Sequence, residues 1–433
     1  MRLSRPLSLV AVGVLSLSTL AACSKDKAVD TTVAAVETEA VAPDTTAVAA
    51  ETSAAAADTA AADTTAAAPA AETTAAAAAP AVGGGADSLK TAGCPDPLVV
   101  QTDWYPEVDH NELYVLAAPG GKIENTKYTS KLMDPRDGSD TGIMLEVRVG
   151  GGAVNFKSPT DLMYTSNDIF AGYVNTDEGV QNSKERPTVA VVAPRERSPQ
   201  MIMWDPATYP EVKTIADLKA KGVKVRYFDG AAYMDFLTGS GILDKAQTDG
   251  GYDGSPSKFI ADGGKSAQQG FTTAEPWQYE HDIDGWKKPI AYQLVADAGW
   301  DVYAEPLAVK PEALTKYDAC LKAFVPMVQA AQLAYKADPA ATNASIVEIV
   351  KAQGNEWSYS PETASSAYDK SFADGVISNG PDSIIGNFDM AKIQKIIDVA
   401  GPIYATRNAP IKDGLKAEDV ATNAYIDQSI GLK

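Results

Sequence analysis

Residues 99–114, VVQTDWYPEVDHNELY, form the stretch that decides the fold. It begins with a short apolar run typical of a buried strand, and the polar and aromatic residues Asp103, Trp104 and Tyr105 end that run. The proline that follows cannot donate to a strand ladder and biases Tyr105 away from helix. Asp109 is a good N-cap for a helix that begins at the next residue. A strand that ends in this way and then enters a helix is where open α/β sheets bind ligands.

The same stretch carries the pattern DWxPxxxHxxLY over residues 103–114. This pattern resembles the opening motif of solute-binding proteins for thiamine-pyrimidine precursors, which belong to the larger nitrate/sulfonate/taurine-type family of ABC-importer receptors. The resemblance implies an α/β chain with the two-lobed fold of periplasmic binding proteins (type II). It also implies a small-molecule ligand and ABC permease subunits as partners. Glu107 stands where the pyrimidine receptors usually carry Asn.

The first 23 residues have the composition of an export signal. Two arginines precede an apolar segment at 6–20 that is too short to remain as a spanning helix. The sequence LAAC at 20–23 is typical of a lipobox, and it predicts cleavage before Cys23 and attachment of lipid to its thiol. An ordinary cleavable signal is the alternative. With the lipid, the mature protein would be extracytoplasmic and anchored to the membrane of a bacterial cell.

Residues 24–92 are predicted to be a disordered linker. Alanine and threonine dominate, and large apolar side chains are almost absent, so the segment cannot bury enough surface to offset its ordering entropy. As a flexible coil it would reach roughly 45 Å root-mean-square. Such a reach suits a receptor that must rise from a membrane through a wall.

About 340 residues follow position 92, which is enough for two lobes. We predict that residues 93–205 form the first part of lobe 1, residues 206–299 form lobe 2, and the mainly helical residues 300–433 return to lobe 1. Residues 119–140 are expected to be a loop. Two α/β lobes joined by two crossings are the architecture of a receptor that closes about a hinge.

The formal net charge of −20 argues against nucleic acid and anionic lipid as partners. It weakly favours a neutral or cationic ligand, and we expect a monomer. Two cysteines remain once Cys23 is assigned to lipid, and an oxidising compartment would join Cys94 to Cys320 in a disulfide. Two buried free thiols are the alternative.

Candidate ligand-binding residues fall on both predicted lobes. Asp103, Trp104, Tyr105 and His110 would form an aromatic wall with polar groups that faces the cleft. The alternative is that Trp104 packs under its loop and that His110 merely occupies the first turn of a helix.

Glu275 and Trp277 follow a predicted strand of lobe 2, where related receptors place an aromatic ring across the cleft. Two opposed aromatic rings suit a flat heterocycle, and a carboxylate can accept a hydrogen bond from its amino group. A packed tryptophan beside a solvated glutamate is the alternative. Asp229 lies at a predicted helix start, where it would repel an anion. Ser255 begins either a helix that faces the hinge or a plain turn.

Enzyme signatures are missing from the sequence. It has only two histidines, no zinc-binding spacing, no G-x-S-x-G elbow and no phosphate-binding or dinucleotide fingerprint. A pyridoxal-linked pyrimidine synthase shares the fold, but its cysteine-rich motif has no counterpart here. We therefore predict a receptor without catalytic activity, metal or cofactor, whose ligand is a flat nitrogen heterocycle. An oxyanion receptor for nitrate or an alkylsulfonate, and a wall-associated adhesin or sensor, remain as alternatives.

Overall fold

The computed structural model describes residues 84–355 and 357–433. The predicted signal peptide, Cys23 and residues 24–83 of the predicted linker lie outside these residues. The prediction of a disordered linker up to residue 92 is wrong at its end, because Ser88–Thr91 form a helical turn whose Leu89 is fully buried in the core of the domain. Within the described ranges, no helix combines the length and the apolar character that crossing a membrane requires.

The described residues form twelve strands. These are β1 (Leu98–Gln101), β2 (Lys122–Glu124), β3 (Lys127–Met133), β4 (Asp140–Arg148), β5 (Ala171–Tyr173), β6 (Val189–Val192), β7 (Gln200–Trp204), β8 (Val225–Arg226), β9 (Thr248–Asp249), β10 (Ala267–Phe271), β11 (Ala291–Leu294) and β12 (Leu307–Val309).

Fourteen α-helical segments accompany these strands in the described part of the chain. They are α1 (Ser88–Thr91), α2 (Asn111–Leu116), α3 (Pro159–Thr165), α4 (Thr176–Asn182), α5 (Ile215–Ala220), α6 (Ala232–Gly239), α7 (Ser257–Ala261), α8 (Glu275–Trp277), α9 (Pro311–Lys316), α10 (Asp318–Ala337), α11 (Ala340–Gln353), α12 (Pro361–Ala373), α13 (Met390–Thr406) and α14 (Ala417–Val420). A π-helical turn over Gln278–Asp282 continues directly from α8.

Lobe 1 is built on a seven-stranded sheet in the order β2-β3-β4-β1-β5-β12-β6. The predicted first strand, β1, lies at its centre and pairs in parallel with β4 and β5. All four residues of β1 are buried, as the apolar run predicted. A strand covered on both faces needs such a continuous run rather than an alternating one.

Lobe 2 is built on a five-stranded sheet in the order β11-β7-β10-β8-β9. The chain passes from lobe 1 to lobe 2 between β6 and β7, and it returns between β11 and β12. Each crossing delivers a strand that runs antiparallel to both of its neighbours: β7 in lobe 2 and β12 in lobe 1. The two lobes are therefore mixed α/β sheets linked by two chain segments.

The first crossing lies earlier in the chain than the proposed lobe boundary at residue 205. β7 ends at Trp204, yet it pairs only with strands of the lobe 2 sheet. The apolar character of this strand indicated burial, but burial alone does not say which sheet a strand joins.

The expectation of a loop at 119–140 is wrong. β2 and β3 occupy much of this range and extend the lobe 1 sheet by an antiparallel edge beside β4. Only Tyr128 and Leu132 provide buried apolar side chains in β3, and lysines and serine fill most other positions. The weak signal has a physical reason: β2 is the edge strand, and β3 buries only alternate residues, so this part of the sheet needs few apolar side chains.

Most of the range 300–433, predicted to be mainly helical, is occupied by helices, among them α11, α12 and α13. The longest helix of the described residues, α10, has 20 residues and packs against α2, which carries the last residues of the motif. Its apolar face, including Leu321, Phe324 and Val328, is fully buried in the core of lobe 1. This packing fixes the position of α2, and thereby of the loop that precedes it.

The predicted disulfide between Cys94 and Cys320 is present. The two Cα atoms are 5.0 Å apart, and the bond joins the segment before β1 to α10 across 226 residues of sequence. Cys320 is fully buried. The bond therefore fastens the start of lobe 1 to its central helix.

Removing this disulfide should lower the free energy of unfolding by several kcal/mol. In the chain-entropy model a loop of this length contributes about 5 kcal/mol, because the bond restricts the unfolded chain. The check is denaturant unfolding of the Cys23→Ser protein with and without reductant, with Cys94→Ser as a control that reductant should not affect. Two titratable thiols in the unreduced, denatured Cys23→Ser protein would contradict the pairing.

Candidate ligand-binding site

A pocket with a cavity volume of about 110 Å³ lies between the two lobes. Lobe 1 contributes Asp103, Trp104, Glu107 and Trp357, and the return crossing contributes Glu305. Lobe 2 contributes most of the remaining lining, which comprises Phe228, Tyr252, Gly254, Pro256, Gln269, Gly270, Phe271, Ala274, Glu275, Gln278, Tyr279 and Ile283.

The loop after β1 holds Asp103 and Trp104 at the pocket. The carbonyl oxygens of these residues accept hydrogen bonds from the backbone N–H groups of Gly151 (2.8 Å) and Gly150 (2.9 Å). A Cβ atom on Gly150 would lie 2.3 Å from the carbonyl carbon of Asp103, so only glycine permits this approach. The glycine-rich turn after β4 therefore supports the loop that carries the motif.

Aromatic rings from both lobes surround Trp104. Its ring is edge-on to that of Trp357 at 5.9 Å between centroids, and it approaches Phe228 of lobe 2 at 6.3 Å. Tyr105 is almost fully buried and stacks on Trp357 at 5.9 Å between centroids. Trp357 also donates a hydrogen bond from Nε1 to the carbonyl oxygen of Pro106 at 3.3 Å. These contacts fix the orientation of the lobe 1 aromatic wall.

Four carboxylates line the pocket, from Asp103, Glu107, Glu275 and Glu305, and the lining includes no lysine, arginine or histidine in the described residues. Burial raises the pKa of Glu107 well above its usual value, and the neighbouring charges of Asp109, Asp103 and Glu275 raise it further. Burial raises the pKa of Glu275 to about 7, although the carboxylate accepts a 2.7 Å hydrogen bond from the backbone N–H of Phe271. The pocket is therefore acidic, and basic side chains do not fully compensate its negative charge.

A buried charge network lies behind the pocket. His110 is fully buried, and its Nε2 atom is 3.0 Å from Oδ1 of Asp103 and 3.5 Å from Oε2 of Glu305. Arg195, also fully buried, forms an ion pair with Glu305 and lies 3.7 Å from Oδ1 of Asp109. Arg195 lies on the first crossing and Glu305 on the second, so the network joins the two crossings to the motif.

One group within this network has the composition of a metal site. Ligand atoms of Asp103, His110 and Glu305 lie within 4.8 Å of one another. However, Arg195 donates to Oε2 of Glu305, and a guanidinium beside a bound cation is repulsive. The arrangement fits a hydrogen-bonded histidine better than a metal centre.

Direct hydrogen bonds join the lobes around the pocket. Thr273 of lobe 2 donates to Oδ2 of Asp109 at 2.7 Å, and Thr272 donates to Oδ2 of Asp374, just after α12, at 2.6 Å. Asp109 was expected to cap the helix after the motif, but its side chain makes no such bond and reaches lobe 2 instead. The lobes are thus in contact on both sides of the motif.

Three of the eight candidate residues, Asp103, Trp104 and Glu275, line this pocket. Tyr105 lies behind Trp357, and His110 lies behind Asp103. The other three do not line the pocket, and each has a different surrounding: Asp229 is exposed, Ser255 shares a hydrogen bond with Ser257, and Trp277 lies against His281 with 4.0 Å between ring centroids.

Trp277 differs from the expectation because of the local secondary structure. Residues i and i+2 share a face in an extended segment, but they lie about 200° apart on a helix. Because Glu275 and Trp277 belong to α8, the glutamate lines the pocket while the tryptophan does not.

Sequence reasoning missed Glu107, Glu305 and Trp357 as lining residues. Glu107 lay inside the motif and was noted only as a departure from the family pattern. Glu305 and Trp357 follow no periodic pattern, because each lies in a connecting segment that the fold brings back to the motif.

No protein-family model matches the sequence, and no curated protein matches it. Solved structures do align with it. The alkanesulfonate-binding protein SsuA from Xanthomonas axonopodis pv. citri, bound to MOPS, is 13% identical over 76% of this chain and 100% of that chain, with a TM-score of 0.46. The aliphatic sulphonate binding protein SsuA from Escherichia coli is 13% identical over 74% and 94%, with a TM-score of 0.48. The nitrate-binding protein NrtA from Synechocystis PCC 6803 is 13% identical over 77% and 88%, with a TM-score of 0.44.

The raised pKa of Glu275 predicts that the ligand-free protein loses stability as the pH rises. A carboxyl whose pKa is 4.5 when unfolded and about 7 when folded stabilises the fold below pH 4.5, and this contribution is lost as the pH rises through 7. Each such group lowers the free energy of unfolding by at most about 1.4 kcal/mol per pH unit in that window. Glu107, whose pKa is also raised, adds to the effect.

The measurement is denaturant unfolding between pH 5 and pH 8. Glu275→Gln keeps the shape of the protonated carboxyl and should make the dependence shallower. Glu280→Gln, an exposed glutamate in the adjoining turn, is the matched control and should leave it unchanged. An identical pH dependence in the Glu275→Gln variant and the unmodified protein would contradict the assignment.

Proposed function

We propose that this protein is the extracytoplasmic solute-binding receptor of an ABC importer. It captures a flat nitrogen heterocycle, neutral or cationic, by closure of its two lobes, and it delivers the ligand to permease subunits. The observation that carries this proposal is the pocket between the lobes, which the described residues line with aromatic rings from both lobes and with carboxylates, but with no basic side chain.

The position of the pocket supports a closure mechanism. A ligand there contacts the motif of lobe 1 and the strand ends of lobe 2 together, so its binding energy favours the closed arrangement over an open one. Hydrogen bonds such as that from Thr273 to Asp109 would form in the same step. The buried ion pair between Arg195 and Glu305 keeps the two crossings together while the lobes move.

The aromatic residues suit a planar ligand. Trp104 and Trp357 of lobe 1 and Phe228 and Tyr252 of lobe 2 offer ring faces and edges around one space. Stacked or edge-to-face pairs contribute about 1 kcal/mol each beyond area burial. The carboxylates can accept hydrogen bonds from ring N–H or amino groups.

The lining disfavours an oxyanion such as nitrate or a sulfonate. Anion sites rely on guanidinium groups, ammonium groups or clustered backbone N–H donors. Arg195 is behind the pocket and paired with Glu305, and the four lining carboxylates would repel an anion. We therefore do not favour an oxyanion receptor, and the binding test includes oxyanions in order to exclude it.

Trp104→Ala and Trp357→Ala should each weaken heterocycle binding about tenfold, because a loss of about 1.4 kcal/mol corresponds to one decade in Kd. Trp277→Ala is the matched control: it removes a tryptophan outside the lining and should change Kd less than twofold. Titrations monitored by intrinsic fluorescence against pyrimidines, purines, flavins, nitrate and an alkylsulfonate provide the measurement. Tight binding of nitrate or the sulfonate that Trp104→Ala leaves intact would sink the heterocycle proposal.

We also propose that lipid on Cys23 anchors the receptor, on the strength of the LAAC sequence at 20–23. Cys23→Ser should yield protein that no longer incorporates labelled fatty acid and that leaves the membrane fraction. Ser24→Ala is the control and should remain acylated. Continued acylation of the Cys23→Ser protein would end this proposal.

A further inference from the structure

We propose that the ligand carries a protonated amine, and that this ammonium group is held between Glu107 of lobe 1 and Glu275 of lobe 2. This inference rests on the proposed receptor function and narrows its ligand from neutral or cationic heterocycles to aromatic or heteroaromatic ammonium compounds.

The first support is the distribution of charge around the pocket. Among residues 84–355 and 357–433, the buried basic groups nearest the pocket are already committed: Arg195 to Glu305, and His110 to Asp103 and Glu305. No basic side chain in those ranges forms an ion pair with Glu107 or Glu275. Two lining carboxyls thus lack a cationic partner.

The second support is the way in which the protein places these two carboxyls. Glu107 is only 6% exposed and follows the motif proline, within the segment that α2 and α10 fix. Glu275 begins α8, and its carboxyl group lies over the backbone of β10, where a Cβ atom on Gly270 would come within 2.9 Å of the carboxyl carbon. Glycine at this position therefore makes room for the glutamate. The surrounding structure thus holds both carboxyls in place, one on each side of the cleft.

The third support is electrostatic. Burial without a cation is costly for a carboxylate, and this cost raises the pKa of both glutamates. An ammonium group between them would stabilise the ionised form of both carboxyls, which would release their protons when it binds. Its N–H bonds point in several directions, so it can donate to carboxylates on both lobes at once. The faces of Trp104 and Phe228 can add cation–π attraction.

A cation in this position also explains how closure is favoured. Two carboxylates from opposite lobes repel each other when the cleft closes, and a bridging ammonium turns this repulsion into attraction. A neutral ring amine can donate hydrogen bonds to the carboxylates but cannot compensate their charge. The pocket therefore discriminates ligands by charge as well as by shape.

Several other charged or titratable groups lie close to the two glutamates. Those that act on Glu107 are Asp109, Asp103, Glu275, Arg195, Tyr114 and Tyr359. Those that act on Glu275 are Asp109, Glu107, Tyr252 and Tyr279. Only Arg195 among these is a cation, so ligand binding must displace protons from the acidic groups.

The experiment compares two pairs of probes that differ only by amine against alcohol. They are 4-amino-5-aminomethyl-2-methylpyrimidine with its 5-hydroxymethyl counterpart, and tryptamine with tryptophol. Calorimetric titration at pH 7 should show at least tenfold tighter binding of the amine in the pair whose ring fits. The affinity for that amine should rise between pH 5.5 and pH 7.5, and titrations in buffers of different ionisation enthalpy should show proton release. The affinity for tryptophol, which has no titrating group, should not depend on pH in this window.

Glu107→Gln and Glu275→Gln should each reduce the preference for the amine to less than threefold, and both should reduce proton release. Glu280→Gln should retain the full preference. Because glutamine resembles the protonated carboxyl, the variants should fold. If thermal unfolding shows that they do not fold, the ratio of amine affinity to alcohol affinity in the unmodified protein decides whether the inference stands.

Equal affinity for the amine and the alcohol, or a preference that survives both glutamine substitutions, would overturn the inference and leave the receptor function intact. Binding of an anionic probe in place of every amine would do the same. Failure of amines, alcohols, nitrate and alkylsulfonate alike to bind would overturn the inference and the proposed function together.

Discussion

The buried ion pair between Arg195 and Glu305 is the interaction on which the arrangement of lobes and pocket depends. Each partner lies on a different crossing between the lobes, and both side chains are almost fully removed from water. Taking two charges out of water is expensive, and the pair is stable only because His110 and Asp109 extend it into a network. Loss of either partner would leave a buried charge beside the pocket. The same network therefore constrains the crossings and sets the charge behind the ligand site.

Much of lobe 1 could be predicted from local sequence. The apolar run that begins at Val99 and Val100 identified a buried strand, which corresponds to β1, because a strand covered on both faces has no polar alternation to obscure it. The Cys94–Cys320 bond followed from the number of cysteines and the expected compartment. The motif located one wall of the pocket, since Asp103 and Trp104 do line it. These features share a property: each depends on residues close together in sequence or on a simple count.

The features that could not be predicted depend on contacts between distant segments. Trp357 and Glu305 reach the pocket only because the last third of the chain returns to lobe 1. The orientation of Trp277 turned on whether three residues were extended or helical, and a proline-containing tripeptide does not decide that by periodicity. β2 and β3 were missed because an edge hairpin needs little apolar surface. All of these features are determined by which segments of the chain come together, and not by the composition of any one segment.

The disulfide has a mechanical consequence for a chain that is pulled from its N-terminal side. Without it, tension entering the domain would be applied to β1, the strand at the middle of the lobe 1 sheet, once the short helix α1 had detached. With it, the load passes at Cys94 into α10, a helix of 20 residues whose apolar face is embedded in the core. A covalent bond and a long buried helix then resist the force in place of the hydrogen bonds of a four-residue strand. The sheet that supports the pocket is thereby isolated from movements of whatever the N-terminal segment is attached to.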